Sequence, residues 1–428
     1  RRVLQYLERA KGFFDHQTHA GIQPRAGRVR VVMFGSKKEY HEYRFKQFAA
    51  GYSTQIDGRD YIVLSAAENE MLPTAVHEYI HLTAQETSQR LPPWLSEGFA
   101  EVYSTLKFSG GRVVVGLPPP ARVQALGRDA WVPLAEILNA DHESPYYSQT
   151  GMAGILYNEG WALVHMLAFH PRYAPDFPKL LEAIEQGTRS RDALERIYGR
   201  PLASIERELK SYLGHGLFAS RTIQTKLPPG GAAAFEPAAM YDVRLALLDL
   251  ASRVGNAADT RAGLVSLVRE DPRRPEPHVA LGYLLVRSFH EEDAFRSFQT
   301  AVNLGSRDPQ MLWDYGRLAA AKLPEQAMSA LRLLLADQPA RSDARLELAE
   351  ILMSRRRPRE ALEILAPVTT VVPESTAKLN EVLAMANLEV GNRDQALEHA
   401  RRWLALENDA GRRLNANRIF RYLADASQ

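Results

Sequence analysis

The sequence predicts a chain of two parts: a mixed α+β domain over residues 1–225 and an all-α array of helix pairs over 237–428, joined by a linker at 226–236. Three observations predict it. Residues 28–64 hold short apolar and alternating runs of the kind that form strands. From 237 onward such runs disappear, and small residues return about every 34 positions, as they do in repeated helix pairs. Between the two, Lys226-Leu227-Pro228-Pro229-Gly230-Gly231-Ala232-Ala233-Ala234 gathers Pro, Gly and Ala without periodicity, which is linker composition. A length of 428 residues allows two or three domains with ample buried core.

In order along the chain, Val3, Leu4, Leu7 and Phe14 lie near helical spacing and predict an amphipathic helix over 1–16. Residues 28–34 read as a strand entering a core, followed by a short helix over 37–49. Strands are predicted at 51–56 and 61–64 around the turn signal Asp57-Gly58. Pro73 suits the first turn of a helix, where its missing N–H would be unbonded anyway, and that helix should run over 73–87 and stop before Pro92-Pro93. A further helix is expected over 95–106, a hairpin strand over 111–116, and a loop at Pro118-Pro119-Pro120. Short helix mixed with loop should fill 121–150. Helices at 152–169, 176–186, 190–198 and 201–213 would form a second lobe.

In the second part, Ala294, Ala327, Ala361 and Ala396 recur at intervals of 33, 34 and 35, and Gly282, Gly316 and Ala349 at 34 and 33. A period of 34 with one small residue in each of two helices is the tetratricopeptide signature, the small residues marking where paired helices approach closely. Pro309, Pro339 and Pro373 fall between pairs. An earlier pair over 239–271, with Ala262 in the matching position, makes five. Stacked pairs form an extended concave surface, so a protein partner is expected there.

The chemistry centres on His77-Glu78-Tyr79-Ile80-His81. Residues four apart lie on one helix face, so His77 and His81 can share one Zn²⁺. Glu78 is turned about 100° from His77, beside a bound metal instead of on it, where it can act as a general base. A catalytic zinc needs a third protein ligand and one open position. Sixteen residues after His81 stands Glu97, in Trp94-Leu95-Ser96-Glu97-Gly98-Phe99-Ala100. Glu101, one turn beyond Glu97, either holds a ligand His by hydrogen bond or is solvated. Trp161 and His165 are read as core, and His41, His142, His215 and His278 as surface.

HExxH followed by Trp-Leu-x-Glu-Gly-Phe-Ala resembles the gluzincin metallopeptidases, the clan of thermolysin and the zinc aminopeptidases. The short link between the motifs is similar to bacterial peptidase MA-like families, which are often fused to helical repeats. The resemblance implies a zincin-like fold for the first domain, zinc held by His77, His81 and Glu97, and Glu78 as general base. Tyr157-Asn158-Glu159-Gly160 resembles the Tyr-Glu-Lys-Gly segment of the aminopeptidases. Tyr157 and Gly160 match it, while Asn158 and Glu159 depart. That match implies an oxyanion-stabilising hydroxyl on Tyr157; a Tyr opening an apolar helix can also be mere packing. Ala67-Glu68-Asn69 lacks the features of an aminopeptidase amine-binding segment, so the choice between endo- and exopeptidase stays open.

A net charge of +2 argues against a nucleic-acid footprint, and no apolar run reaches the 18 or so residues of a membrane span. With no Cys there are no disulfides, and the redox compartment stays open. The chain begins Arg1-Arg2 without Met, as expected of a trimmed chain in which a removed leader or anchor leaves no trace. Two functions are thus in view: a zinc peptidase acting on a protein or peptide, with helical repeats that bind substrate or partner, or a repeat scaffold carrying an inactive or regulatory zincin lobe.

Overall fold

The computed structural model describes all residues except 16–28, 45–49, 67–70, 87–90, 142, 149–151, 215, 217, 226–235, 370 and 426–428. The expected linker therefore lies, apart from Glu236, outside the described residues, as does 67–69. Two compact units are resolved, Arg1–Ala246 with Arg253–Gly255, and Leu247–Ser252 with Asn256–Gln428. No helix among the described residues is long and apolar enough to cross a membrane.

The first unit opens with α1 (Arg2–Asp15), which buries the stripe Val3, Leu7, Ala10 and Phe14. Leu4, expected in that stripe, lies about 100° away from Val3 and is exposed. Strand β1 (Val29–Phe34) leads into α2 (Lys37–Glu42), started by a capping box between Ser36 and Glu39. That helix ends at Glu42, and 45–49 of the expected span lie outside the described residues. Strands β2 (Gly51–Ile56) and β3 (Arg59–Ser65) form a hairpin whose turn residues Asp57 and Gly58 both take positive φ. The sheet order is β1-β3-β2, with β1 parallel and β2 antiparallel to β3. Central β3 buries Tyr61, Ile62, Val63 and Leu64 without alternation, because both its faces are covered.

Helix α3 (Met71–Glu86) packs on β2, β3 and α1, and α4 (Pro93–Ser104) packs on α3. Strands β4 (Lys107–Ser109) and β5 (Arg112–Val115) make the expected hairpin. Pro120, expected in a loop, instead opens α5 (Pro120–Arg128), where a residue without an N–H loses no bond. Then come α6 (Leu134–Asn139), α7 (Pro145–Ser148), α8 (Ala153–Phe169), α9 (Phe177–Glu185), α10 (Ser190–Tyr198) and α11 (Leu202–Gly214). Helix α8 is apolar nearly all round and buries Leu156, Trp161, Ala162, Leu163, Val164, Met166 and Leu167, as a central helix must. Strand β6 (Arg221–Gln224), which the sequence reading missed, pairs antiparallel with β5 to complete a second sheet. Its mostly exposed, polar residues carry little strand signal.

Helix α12 (Met240–Val254) runs through the boundary between the units. The second unit continues with α13 (Ala257–Glu270), α14 (Glu276–Arg287), α15 (Glu291–Asn303), α16 (Pro309–Ala319), α17 (Pro324–Asp337), α18 (Ser342–Ser354), α19 (Pro358–Leu365), α20 (Pro373–Val390), α21 (Arg393–Leu406) and α22 (Ala410–Asp425). Consecutive helices pack in turn, α14 on α15, α16 on α17, α18 on α19, α20 on α21, with α22 closing the series on α21. The small positions sit at the contacts. Ala294, Ala327, Ala361 and Ala396 are fully buried. A Cβ on Gly282 would come within 2.4 Å of the Phe298 ring, and one on Gly316 within 2.8 Å of Leu331. Ala262 is exposed, contrary to expectation; Thr260, 34 residues before Ala294, takes the buried place. Pro309 and Pro373 fall between pairs, as the first residues of α16 and α20.

Candidate metal centre

Helix α3 buries Ala75, Val76, Tyr79, Ile80, Leu82 and Thr83 in the core. Tyr79 packs beside Phe14 of α1, with ring centroids 6.2 Å apart. That burial fixes the rotation of the helix and leaves His77 and His81 together on another side, ring centroids 4.7 Å apart. Helix α4 reaches them because it crosses α8 at two glycines. A Cβ on Gly98 would meet Gly160 O at 2.5 Å and Val164 Cγ2 at 2.4 Å, and one on Gly160 would meet Trp94 O at 2.9 Å. Glu97, beside Gly98, and Tyr157, one turn before Gly160, are thereby delivered to the two histidines. The Tyr157 ring lies 6.0 Å from that of His77.

Three donor atoms converge. His77 Nε2 and His81 Nε2 are 3.0 Å apart, and Glu97 Oε2 is 3.3 Å from the first and 3.2 Å from the second. Ligands about 2.05 Å from a tetrahedral zinc lie about 3.3 Å from one another, so these separations fit one Zn²⁺. Glu97 is 3% exposed, and its Oε2 is paired with the two imidazole nitrogens, a buried carboxylate oxygen that is costly unless positive charge compensates it. Among the described residues, these three form the one cluster of His and acidic groups with metal-holding geometry. The His77 and His81 side chains keep 12% and 17% exposure.

The electrostatics favour positive charge at this point. Burial pulls the His77 pKa down, but the carboxylates of Glu101 and Glu97 outweigh it and raise the value to about 10. Burial works in the opposite sense on Glu97, yet His81 and His77 hold its carboxyl well below the usual range. Glu101, resisted by burial but favoured by His77 and Arg122, falls to about 2. A proton on His77 and a divalent cation answer the same demand.

Glu78 Oε2 accepts a hydrogen bond of 2.9 Å from Ser53 on β2. Glu101 is buried, with Oε1 3.3 Å from His77 Nδ1, so it stands behind a histidine instead of in solvent. Ser96 Oγ lies 3.4 Å from His81 Nδ1. Arg122 of α5 donates from Nη2 and Nε to Glu101 at 2.8 and 3.1 Å, and from Nη1 to Asn158 at 3.3 Å. The sequence reading missed Ser53, Ser96 and Arg122. Ser96 adjoins Glu97 and was there to be considered; Ser53 and Arg122 carry no local signal. Glu159, which departs from the aminopeptidase pattern, accepts a 2.8 Å bond from Val132 N, and burial raises its pKa to about 7. His165 is core, as expected, and both its nitrogens are bonded, to Tyr212 Oη and Gly116 O at 2.8 Å each. His41 is exposed, His278 is half-buried instead of on the surface, and His142 and His215 lie outside the described residues.

Residues 318–386 match the sequence profile of the tetratricopeptide repeat. No curated protein matches the chain. Among solved structures, it is similar to YrrB, a TPR protein with an unusual peptide-binding site, at 19% identity over 41% of this chain and 90% of that one, with a TM-score of 0.36. It is similar at 17% identity to PilF of Pseudomonas aeruginosa, over 44% of this chain and 86% of that one, TM-score 0.30. A tetratricopeptide repeat protein from Parabacteroides merdae shares 15% identity over 42% and 73%, TM-score 0.33. The profile match falls wholly within the helical array, so that array contains tetratricopeptide repeats.

Proposed function

We propose that the first unit is a zincin-like metallopeptidase, a gluzincin-type zinc hydrolase of peptide bonds, and that the repeats bring it a protein substrate or partner. The observation that carries this reading is the convergence of His77 Nε2, His81 Nε2 and the buried Glu97 Oε2 within 3.0–3.3 Å of one another. Those three residues would hold one Zn²⁺. The chemistry a bound Zn²⁺ supplies is Lewis-acid polarisation of the scissile carbonyl and of water. Glu78 accepts the proton of the attacking water and returns it to the leaving amine. Ser53 holds the Glu78 carboxylate in place by its bond to Oε2. The Tyr157 hydroxyl donates to the tetrahedral oxyanion. Among the described residues, strand β2 is an edge of its sheet, and it carries Ser53, so an extended peptide pairing along it would pass Glu78.

A second reading, in which the repeats are the functional part and the first unit is inactive or regulatory, is favoured by the profile match at 318–386. Metal analysis separates the two. Protein purified without chelator should carry about one zinc per chain, and Glu97→Ala should lose most of it, because two imidazoles leave a catalytic site incomplete. Wild-type protein free of metal and unable to take up zinc would leave the scaffold reading in possession.

A further inference from the structure

Arg122 lies outside both sequence motifs, yet its guanidinium touches both halves of the site. It forms a bidentate pair with Glu101, which stands 3.3 Å from His77 Nδ1. Its third nitrogen donates to Asn158 at 3.3 Å, and its Cζ lies 5.4 Å from the centroid of the Tyr157 ring. Glu101 belongs to α4 and Tyr157 to α8, so one planar group on α5 spans the two helices that supply Glu97 and Tyr157. A flat fork with several fixed donors can do this; a lysine ammonium can satisfy one side only.

We infer that Arg122 is a positioning residue that sets the metal-holding face of His77 and the ring of Tyr157 in one register. Through Glu101 it fixes the acceptor for His77 Nδ1–H, which leaves Nε2 facing Glu97 and His81. Through Asn158 and the aromatic face it holds the first turns of α8, where Tyr157 sits. This role rests on the zinc-hydrolase reading above. A guanidinium that merely tied α5 to α4 would stabilise the fold and leave both metal affinity and turnover alone.

The test uses the full chain, with zinc affinity measured by competition against a chromophoric chelator, casein turnover, and a melting curve for each variant. Arg122→Met should weaken zinc binding by about 10–100-fold, the usual size of losing such a support. Arg122→Lys keeps a positive charge beside Glu101, so zinc affinity should return to within a few-fold of wild type. Its kcat should stay down by about tenfold at unchanged KM, because one ammonium cannot also hold Asn158. Asn158→Ala should lower kcat in the same way with zinc affinity unchanged. Wild-type zinc affinity in Arg122→Met, or wild-type kcat in Arg122→Lys, would overturn the role and leave Arg122 a structural tie; the Lys variant decides if the Met variant fails to fold. If wild-type protein itself takes up no zinc, or His77→Ala binds it equally well, the underlying zinc reading falls, and this role falls with it.

Discussion

Gly98→Ala is the sharpest test of how the fold builds the site. The new Cβ would stand 2.5 Å from Gly160 O and 2.4 Å from Val164 Cγ2, where ordinary contact begins at 3.4 Å. The valine can turn, but the carbonyl is backbone, so α4 and α8 must separate by about 0.9 Å at the crossing. Overpacking of this kind costs about 1–3 kcal/mol, against about 1 kcal/mol gained from the better helix propensity of Ala. The net effect should be a destabilisation of up to about 2 kcal/mol and a displacement of Glu97, the adjacent residue. Zinc affinity should therefore fall along with stability. Gly160→Ala, whose Cβ would meet Trp94 O at 2.9 Å, should behave the same way but more mildly. Gly154→Ala, on α8 with nothing within 4 Å of its Cβ, should gain up to about 1 kcal/mol and leave zinc affinity alone. Hydrogen exchange of the α4 and α8 amides across a urea series reports on this unit alone. Gly98→Ala with wild-type protection and wild-type zinc affinity would refute the claim that this glycine crossing positions the site.

Glu78→Gln keeps the side chain's volume but cannot take a proton from water, so peptidase turnover should vanish at unchanged zinc content; Tyr157→Phe should lower kcat by about 10²–10³ with little change in KM. Full casein turnover in Glu78→Gln would mean that this chemistry is wrong, whereas full turnover in Tyr157→Phe alone would reduce Tyr157 to packing. Glu159 is 3% exposed and titrates near 7 when folded against 4.5 ordinarily, so the folded state binds more protons between those values and stability falls as pH rises through them. Glu159→Gln should remove that slope and be more stable than wild type at pH 8 by about 2–3 kcal/mol, as read from urea denaturation at pH 4.5 and 8; equal slopes in the two proteins would exclude it. Phe289 has φ of 60° and is 93% exposed, so Phe289→Gly gives up a left-handed strain without losing packing and should stabilise the second unit by about 0.5–1 kcal/mol, a shift visible in the midpoint of thermal unfolding.

What the sequence by itself determined was everything carried by near neighbours along the chain. The four-residue step from His77 to His81 puts two imidazoles on one helix face in any protein, and the hairpin at Asp57-Gly58 follows from residues that tolerate positive φ. The 34-residue recurrence of Ala294, Ala327 and Ala361 likewise specifies helix pairs. Element ends were less legible. The sequence carries no stop signal at Tyr43, where α2 is capped, and Pro120 is equally at home in a loop or at a helix start. Ala262 illustrates a limit of the repeat itself: a small residue was sought by type, while the buried register position is held by Thr260. Only the tertiary structure decided that Gly98 meets Gly160, that Ser53 on a strand binds Glu78 on a helix, and that Arg122 joins Glu101 to Asn158. Those partners lie 21 to 62 residues apart on different elements. No periodicity links them, because which faces meet is set by the packing of whole helices and sheets, and a lone Arg or Ser reads the same in the sequence whether it is solvated or holds a buried carboxylate in place.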